Sequence, residues 1–192
     1  NFSQKIISKK NYGQKYSTVF AETYFYPTSG GQMHDTGTIN GIPVLEVIEE
    51  GDEILHITDR EVQGDFAECK IDSVRRLDFM QQHTGQHILS YAITKVLGAD
   101  TVSSHLGEEG CTIDINLPSI TLKDFSEIEK TANEIIWKNC DIKVHYIHDS
   151  EVDKYPLRKA PKFKGELRII EIDGLDYSAC GGTHVQKSGE VG

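Results

Sequence analysis

Residues 74–97 read VRRLDFMQQHTGQHILSYAITKVL, and this stretch decides how the second half of the chain folds. Its apolar side chains recur at the three- and four-residue spacing of one helix face: Leu77, Met80, Ile88, Tyr91 and Val96. Asp72 or Ser73 provides an N-cap, and Gly98 is a natural C-terminal stop. The stretch therefore predicts one long helix from Val74 to Leu97.

The residues on either side of this helix predict an α+β fold. Before it, short apolar or β-branched runs at residues 17–20, 36–39, 44–48 and 54–57 are separated by Gly, Asp and Asn turns, which is typical of a small barrel or a strongly twisted sheet. After it come a second amphipathic helix at residues 122–138 and strand candidates at residues 111–115, 142–147 and 167–172. We expect a β-rich, barrel-like N-terminal subdomain (residues 1–71) followed by an α+β core (residues 72–192).

Composition limits the class of protein. The net charge of −10 argues against a wholly basic binder of nucleic acid. Residues 154–168 are an exception, with six cations against Glu166 alone, so this basic strip predicts either phosphate contacts or a solvated loop. Four scattered cysteines and the lack of any run of about 18 apolar residues favour a cytoplasmic protein that does not enter a membrane.

Two short motifs point to a metal. His83 and His87, in HTGQH, lie four residues apart and so share one face of the predicted helix. By itself such a pair also fits two histidines hydrogen-bonded in a core. Cys180 and His184, in CGGTH, flank two glycines that permit a tight turn. The first motif offers two nitrogen ligands, and the second offers one sulfur and one nitrogen. Zinc prefers this set of donors.

Other catalytic arrangements do not fit. His145 and His148 are a competing ligand pair, but on a strand they would point to opposite faces. Residue 84 is Thr, so the helix lacks the glutamate of the HExxH metalloproteases, and the sequence has no Gly-x-Ser-x-Gly nucleophile elbow. A hydrolase built on this sequence would use water as its nucleophile.

Together these motifs resemble the editing domain of alanyl-tRNA synthetase and its free-standing AlaX relatives. HTGQH at 83–87 and CGGTH at 180–184 carry the resemblance, with FYPTSGGQ at 25–32 and DTG at 35–37 upstream. It runs from about residue 23 to residue 192. Gln86 and the segment VSSHLG at 102–107 depart from the synthetase branch and are closer to the free-standing branch.

The resemblance implies a zinc hydrolase that removes serine or glycine from mischarged alanine tRNA. His83, His87, Cys180 and His184 are the implied zinc ligands. The departures leave the preference between serine and glycine open. The expected partner is the acceptor end of alanine tRNA, and no ATP-dependent charging is expected. The cations expected to bind that tRNA are Lys154, Arg158, Lys159, Lys162 and Lys164.

The route to hydrolysis stays open at this point. Four protein ligands close a tetrahedral zinc site, which is typical of structural zinc. We therefore expect the zinc to position the substrate while nearby polar groups deliver water, with Thr28, Gln32 and Gln86 as catalytic candidates. Gly30, Gly31 and Ser104 are candidates for binding substrate. The alternatives are an RNA-binding module with structural zinc and no activity, and an esterase acting on another aminoacyl-tRNA.

Overall fold

The computed structural model describes residues 1–161 and 164–192 and divides into two compact units, residues 1–78 and residues 79–192. The first unit is a closed antiparallel barrel with the strand order β1-β2-β5-β4-β3-β6. Its strands are β1 (Phe2–Tyr12), β2 (Lys15–Phe20), β3 (Gly37–Ile39), β4 (Ile42–Glu50), β5 (Glu53–Thr58) and β6 (Phe66–Ile71). Closure pairs the first strand with the last, so the barrel has no free sheet edge.

The barrel is filled by apolar side chains from its strands and from the connections between them. Ile39, Val47 and Val62 are fully buried in this core, and Cys69 on β6 lies among them. At the seam between β3 and β6, Gly37 adopts a φ of 152°. A Cβ at this position would lie 2.1 Å from the carbonyl oxygen of Lys70, so the seam has no space for a side chain.

The second unit combines helices with two small sheets. Helix α1 (Ser73–Leu97) begins in the first unit and continues into the second. The remaining elements are β7 (Thr101–Leu106), β8 (Cys111–Ile115), α2 (Leu122–Lys138), β9 (Ile142–His148), β10 (Glu166–Ile172) and β11 (Asp176–Ala179), with 3₁₀ turns at Asp149–Lys154 and Ser188–Glu190. Strands β7 and β8 form a hairpin, and β10 lies between β11 and β9 in the antiparallel three-stranded sheet.

Both helices begin and end where local sequence directs them. The carboxylate of Asp72 accepts hydrogen bonds from the backbone N–H groups of Val74 and Arg75, at 3.0 and 3.2 Å, and caps α1. Helix α2 begins with a reciprocal capping box between Thr121 and Asp124. It ends at Asn139, which takes the left-handed conformation.

The predicted α+β class with a barrel-like N-terminal part is confirmed. Both helices and each predicted strand are present within a residue or two of the expected bounds. The sequence analysis missed β1, β6, β7 and β11. The described units divide after Asp78, inside α1, and the subdomain boundary expected between residues 71 and 72 stays a prediction. In the part of the chain that is described, neither helix combines the length and the apolar character needed to cross a bilayer.

Candidate metal centre

Four side chains of the second unit converge on one point. His83 and His87 lie one turn apart on α1, and Cys180 and His184 lie in the turn that follows β11. Their four potential ligand atoms all lie within 4.8 Å of one another. The three imidazole centroids are separated by 4.5 to 5.2 Å. Nitrogen and sulfur donors at these separations could hold one metal ion.

Direct contacts within this cluster centre on the cysteine sulfur. Cys180 Sγ lies 3.3 Å from His83 Nε2 and 3.5 Å from His184 Nε2. His87 Nδ1 is buried and has no hydrogen-bond partner among the described residues. A buried ring nitrogen without a partner costs about 1–3 kcal/mol. A bound metal ion would accept the lone pair of such a nitrogen, so the cluster is suited to hold a metal.

Thr84 fixes the orientation of His184. Its Oγ1 lies 3.1 Å from His184 Nδ1 and accepts a hydrogen bond from the N–H of Val185 at 3.2 Å. With Nδ1 directed at this hydroxyl, Nε2 of His184 faces the sulfur of Cys180. Metal-binding histidines are commonly held in this way through their second nitrogen. The threonine inside HTGQH therefore supports the cysteine motif 100 residues away in sequence.

Burial keeps the three imidazoles neutral, which is the form that binds metals. Burial lowers the pKa of His83 to about 4, and the nearby Arg168 cation adds to the effect. Burial also lowers the pKa of His87 and of His184 well below the usual value. The pKa of the Cys180 thiol is raised by burial, against the opposing effects of the Gly182 N–H and Arg168. A bound metal would favour the thiolate over the thiol.

Arg168 holds the turn that carries Cys180. Its Nη1 donates to the carbonyl oxygens of Cys180 and Gly182, each at 2.8 Å. The N–H of Gly182 in turn lies 3.3 Å from Cys180 Sγ. Sequence reasoning grouped Arg168 with the basic strip and gave Thr84 no role. Two features of the sequence could have indicated these roles: the position of Thr84 between the two histidines, and the spacing of 12 residues from Arg168 to Cys180.

The glycine-rich motif belongs to the first unit and forms a tight turn. Gly30 and Gly31 have positive φ values of 57° and 84°, and the backbones of Ser29 and Gln32 are hydrogen-bonded to each other. The hydroxyl of Thr28 accepts a hydrogen bond from the N–H of His34 at 3.2 Å. The side chain of Gln32 is fully buried. The catalytic role expected for Gln32 stays a prediction.

A buried ion pair anchors the segment that follows this turn. Asp35 is 1% exposed and pairs with the guanidinium of Arg76 on α1. The same carboxylate accepts a hydrogen bond from the N–H of Tyr26 at 2.6 Å. Arg76 also donates to the carbonyl oxygen of Tyr24. The two sides of the glycine-rich loop are therefore tied to the first turn of the helix.

The remaining candidates for the aminoacyl pocket lie on α1 and β7. The side-chain amide of Gln86 donates to Ser90 Oγ at 2.7 Å, and the hydroxyl of Thr101 donates to the same oxygen at 2.7 Å. Ser90 is fully buried, so this pair of contacts fixes the orientation of the Gln86 amide. Ser104 lies on β7 opposite Ile113 and is partly buried. Their roles stay predictions.

Three cations of the basic strip contact other groups of this chain. Arg158 forms a buried ion pair with Asp176 at 2.9 Å, and Lys154 pairs with Glu151 at 2.7 Å. Lys159 donates to the carbonyl oxygen of Thr101. Two further candidates complete the set: Lys164 is exposed, and Lys162 lies outside the described residues. The predicted contact of the strip with tRNA therefore stays a prediction.

The competing histidine pair lies apart from the metal cluster. His145 Nε2 is 2.6 Å from the carboxylate of Glu171, and His148 Nδ1 is 2.8 Å from that of Asp149. Each imidazole thus has an acidic partner of its own. Among the described residues, the one histidine and cysteine grouping suited to a metal is the one at His83.

Comparison with known proteins agrees with this geometry. Residues 167–192, which include Cys180 and His184, match the family described as Threonyl and Alanyl tRNA synthetase second additional domain. The chain is 34% identical over 188 residues to the alanyl-tRNA editing protein Aarsd1 of Rattus norvegicus, covering 96% of this chain and 46% of that protein. The match to Aarsd1-A of Xenopus laevis is 34% over 187 residues, covering 95% of this chain and 45% of that protein.

A second group of similar proteins consists of ligases. The chain is 34% identical over 183 residues to the alanine–tRNA ligase of Methanocella arvoryzae, covering 91% of this chain and 21% of that protein. The chain thus spans about half the length of the editing proteins that it matches and about a fifth of the ligase. Similarity extends over nearly all of this chain in both groups.

Proposed function

We propose that this chain is a zinc-dependent hydrolase of mischarged alanine tRNA, on the premise that it belongs to the AlaX-type family of alanyl-tRNA editing proteins, which is related to the alanine–tRNA ligases. The observation that carries the proposal is the cluster of His83, His87, Cys180 and His184, whose ligand atoms lie within 4.8 Å of one another. The substrates proposed are seryl and glycyl esters of that tRNA.

Zinc is the metal that best suits this donor set. Zinc bonds to sulfur at about 2.3 Å and to imidazole nitrogen at about 2.0–2.1 Å in tetrahedral array, which keeps such ligands about 3.5 Å apart. The Nε2 atoms of His83 and His184 lie 3.3 and 3.5 Å from Cys180 Sγ. When bound, zinc would supply Lewis-acid charge that holds the amino-acid part of the substrate.

The reaction requires a positioned water and a place for its proton. The water oxygen bonds to the ester carbonyl carbon, the bond from that carbon to the ribose oxygen breaks, and the ribose oxygen gains the proton. The side-chain nitrogen of Gln86 donates to Ser90 Oγ. This leaves the side-chain oxygen of Gln86 free to accept a hydrogen bond from the water. Ser104 is proposed to bind the substrate, and Thr28 and Gln32, in the first unit, stay catalytic candidates.

Editing is needed because the selectivity of an alanine-binding pocket has a physical limit. A pocket that accepts alanine cannot strongly reject smaller glycine, and an added hydroxyl as in serine is also poorly excluded, so a second site must remove the errors. Gly30 and Gly31 have no Cβ and would allow the tRNA end to approach the backbone closely. We propose the acceptor end of alanine tRNA as the partner, with no use of ATP, and the cytoplasm as the location.

A binding module is the rival function, because four protein ligands are the usual arrangement of structural zinc. The test is deacylation of seryl- and glycyl-tRNA for alanine, with alanyl-tRNA as the control, in zinc-loaded, metal-stripped and metal-restored protein. We expect the seryl or glycyl ester to be lost with metal and alanyl-tRNA to be spared. Folded, zinc-loaded protein that leaves all three esters intact, even on an acceptor-stem minihelix at high concentration, would establish the binding module instead.

A further inference from the structure

We propose that the tip of the β1–β2 hairpin, residues 9–15, docks on the phosphate backbone of tRNA. The inference rests on the proposed function for the identity of its partner. Residues 1–20 contain four lysines and no aspartate or glutamate. The other 16 cations and 30 carboxylates give residues 21–192 a net charge of −14. The hairpin is thus a cationic segment in an otherwise strongly acidic chain, and cationic surfaces attract nucleic acid.

The hairpin tip extends into solvent. Each of residues 9–15 is exposed, and the pairing of β1 with β6 stops at Lys5. The tip of the hairpin therefore presents both of its faces. Tyr12 lies at the turn opposite Lys15, is 41% exposed, and offers a ring on which an unpaired base can stack.

The lysines of this hairpin have few acidic partners. Lys10 lies 3.4 Å from Glu53, in an ion pair whose members are 62% and 43% exposed. Such pairs contribute little, about 0–1 kcal/mol, and exchange readily for a phosphate. Lys9 donates to the carbonyl oxygen of Gly64 at 2.8 Å. Within the described ranges, no carboxylate lies within ion-pair distance of Lys9 or Lys15.

Arg158, in the basic strip of residues 154–168, differs in this respect. Arg158 is 11% exposed and pairs with Asp176, which is 3% exposed. Releasing that arginine for a phosphate would leave a buried carboxylate unpaired, and breaking such a pair costs about 3–5 kcal/mol. The hairpin lysines have no buried carboxylate as a partner, so binding a phosphate there does not carry this cost. Charge complementarity with tRNA is therefore more readily available at the hairpin than at Arg158.

The test reverses charge at the hairpin and at a matched site. The variant Lys9→Glu/Lys15→Glu is compared with Lys123→Glu/Lys130→Glu on α2, where both lysines are exposed and the change in net charge is the same. Binding of uncharged alanine tRNA is measured over a range of salt concentrations. Each lost phosphate contact makes the slope of log affinity against log salt shallower by about 1. We expect a slope shallower by about 2 for the hairpin variant and no change in slope for the control.

Hydrolysis provides the second readout. For the hairpin variant we expect a raised KM on mischarged tRNA with an unchanged kcat, because the substitutions remove binding and leave the reacting groups in place. Equal salt slopes for the two variants would overturn the hairpin as a docking surface while leaving the proposed hydrolysis standing. A wild-type chain that neither binds tRNA nor cleaves the ester would overturn both.

Independent contacts at the metal centre lead to a second inference: we infer that Arg168 is a positioning residue for Cys180. Both backbone polar groups of Cys180 bind to this one residue. The N–H of Cys180 donates to the carbonyl oxygen of Arg168 at 3.0 Å, and its own carbonyl oxygen accepts from Arg168 Nη1. Nη1 has two hydrogens, and the second binds the carbonyl oxygen of Gly182.

This arrangement sets the direction of the cysteine side chain. Arg168 thereby holds the peptide units on either side of the one that contains the Gly182 N–H, and this N–H lies 3.3 Å from Cys180 Sγ. No carboxylate pairs with Arg168 in the described part of the chain, in contrast to Arg158.

Substitutions at Arg168 separate geometry from charge. Arg168→Lys keeps the charge without the paired donors, Arg168→Gln removes both, and Lys143→Gln on β9 is an exposed control. The measurements are zinc release to a chelator and the cysteine charge-transfer absorption of the cobalt-substituted protein. Loss of an outer contact of this kind typically costs 10- to 100-fold in metal affinity. We expect that loss and a shifted cobalt spectrum for Arg168→Gln, with Arg168→Lys intermediate.

Stability of the metal-free chain distinguishes positioning from general support. A merely structural arginine would lower unfolding midpoints equally with and without metal, and would leave the cobalt spectrum unchanged. Zinc release and cobalt absorption like those of wild type in Arg168→Gln would overturn the inference. These readouts need no RNA, so a failure of ester hydrolysis in the wild-type chain does not alter their meaning.

Discussion

Two sets of imidazoles in this chain have opposite surroundings. His56, in the barrel, is fully buried with both ring nitrogens satisfied, by Thr23 Oγ1 at 2.8 Å and by the carbonyl oxygen of Thr18 at 2.9 Å. His83, His87 and His184 instead surround a sulfur, and the Nδ1 of His87 has no partner among the described residues. Burial alone therefore does not mark an imidazole as a candidate ligand, whereas a ring nitrogen without a partner beside a sulfur does.

The largest effect is expected from removing the sulfur. In Cys180→Ala, zinc content measured on purified protein should fall from one ion per chain to near none, because the cluster loses its one thiolate. Cys111→Ala is the control, since that thiol is exposed and outside the cluster. Binding energies of structural zinc sites are about 10 kcal/mol or more, so the variant should also unfold at lower denaturant. Undiminished zinc in Cys180→Ala would contradict the ligand assignment.

His56 should control stability through pH. Burial lowers its pKa from 6.5 to about 4 in the folded chain. Between those pH values the unfolded state binds the proton and the folded state does not, so stability falls as pH falls through 6.5 and levels off below about 4. The loss from this residue is about 3 kcal/mol.

The measurement is urea unfolding of wild type and His56→Gln from pH 7 to pH 4. Because the variant lacks the titrating ring, the stability advantage of wild type should narrow by about 3 kcal/mol across this range. The difference between the two proteins cancels the titration of other groups. Parallel curves would mean that His56 does not stay neutral in the folded barrel.

The smallest effect is expected at Thr84. Thr84→Val keeps the shape but removes the hydroxyl that contacts His184 Nδ1 and the N–H of Val185. Zinc affinity, measured by competition with a chelator, should fall about tenfold. Thr94→Val on the same helix is the control, since its hydroxyl binds the carbonyl oxygen of Ala99. A similar loss in both variants would show that helix stability, and not the histidine contact, sets the affinity.

The helices were predictable because their signals are local. The sequence itself contains the caps at Asp72 and Thr121. It also contains the helical spacing of the apolar residues that follow each cap. Strand β1 was missed because its eleven residues, FSQKIISKKNY, are largely polar. Such a strand forms because β2 and β6 supply hydrogen-bond partners on both sides, which is information about tertiary structure.

The candidate site was predictable in part for the same reason. The spacings within HTGQH and CGGTH are local and identify a possible ligand set, and the cluster brings those four residues together. The partners of these ligands are set by folding. Arg168 was counted only as one cation of the basic strip, for which phosphate contacts and a solvated loop both stayed open, because sequence gives its charge but not the carbonyl groups it contacts. Arg158 was grouped with it, although its charge is used by a buried aspartate.

Closure of the barrel by its first and last strands has a consequence for synthesis on the ribosome. Phe2 pairs with Cys69, so β1 emerges long before the strand that completes the barrel. Until β6 follows, β1 has its partner β2 on one side and an open edge on the other. An open edge is a site for pairing with other chains, and lysines on an edge strand discourage such pairing. The charge on β1 would thus protect the nascent chain from aggregation before it serves the finished protein.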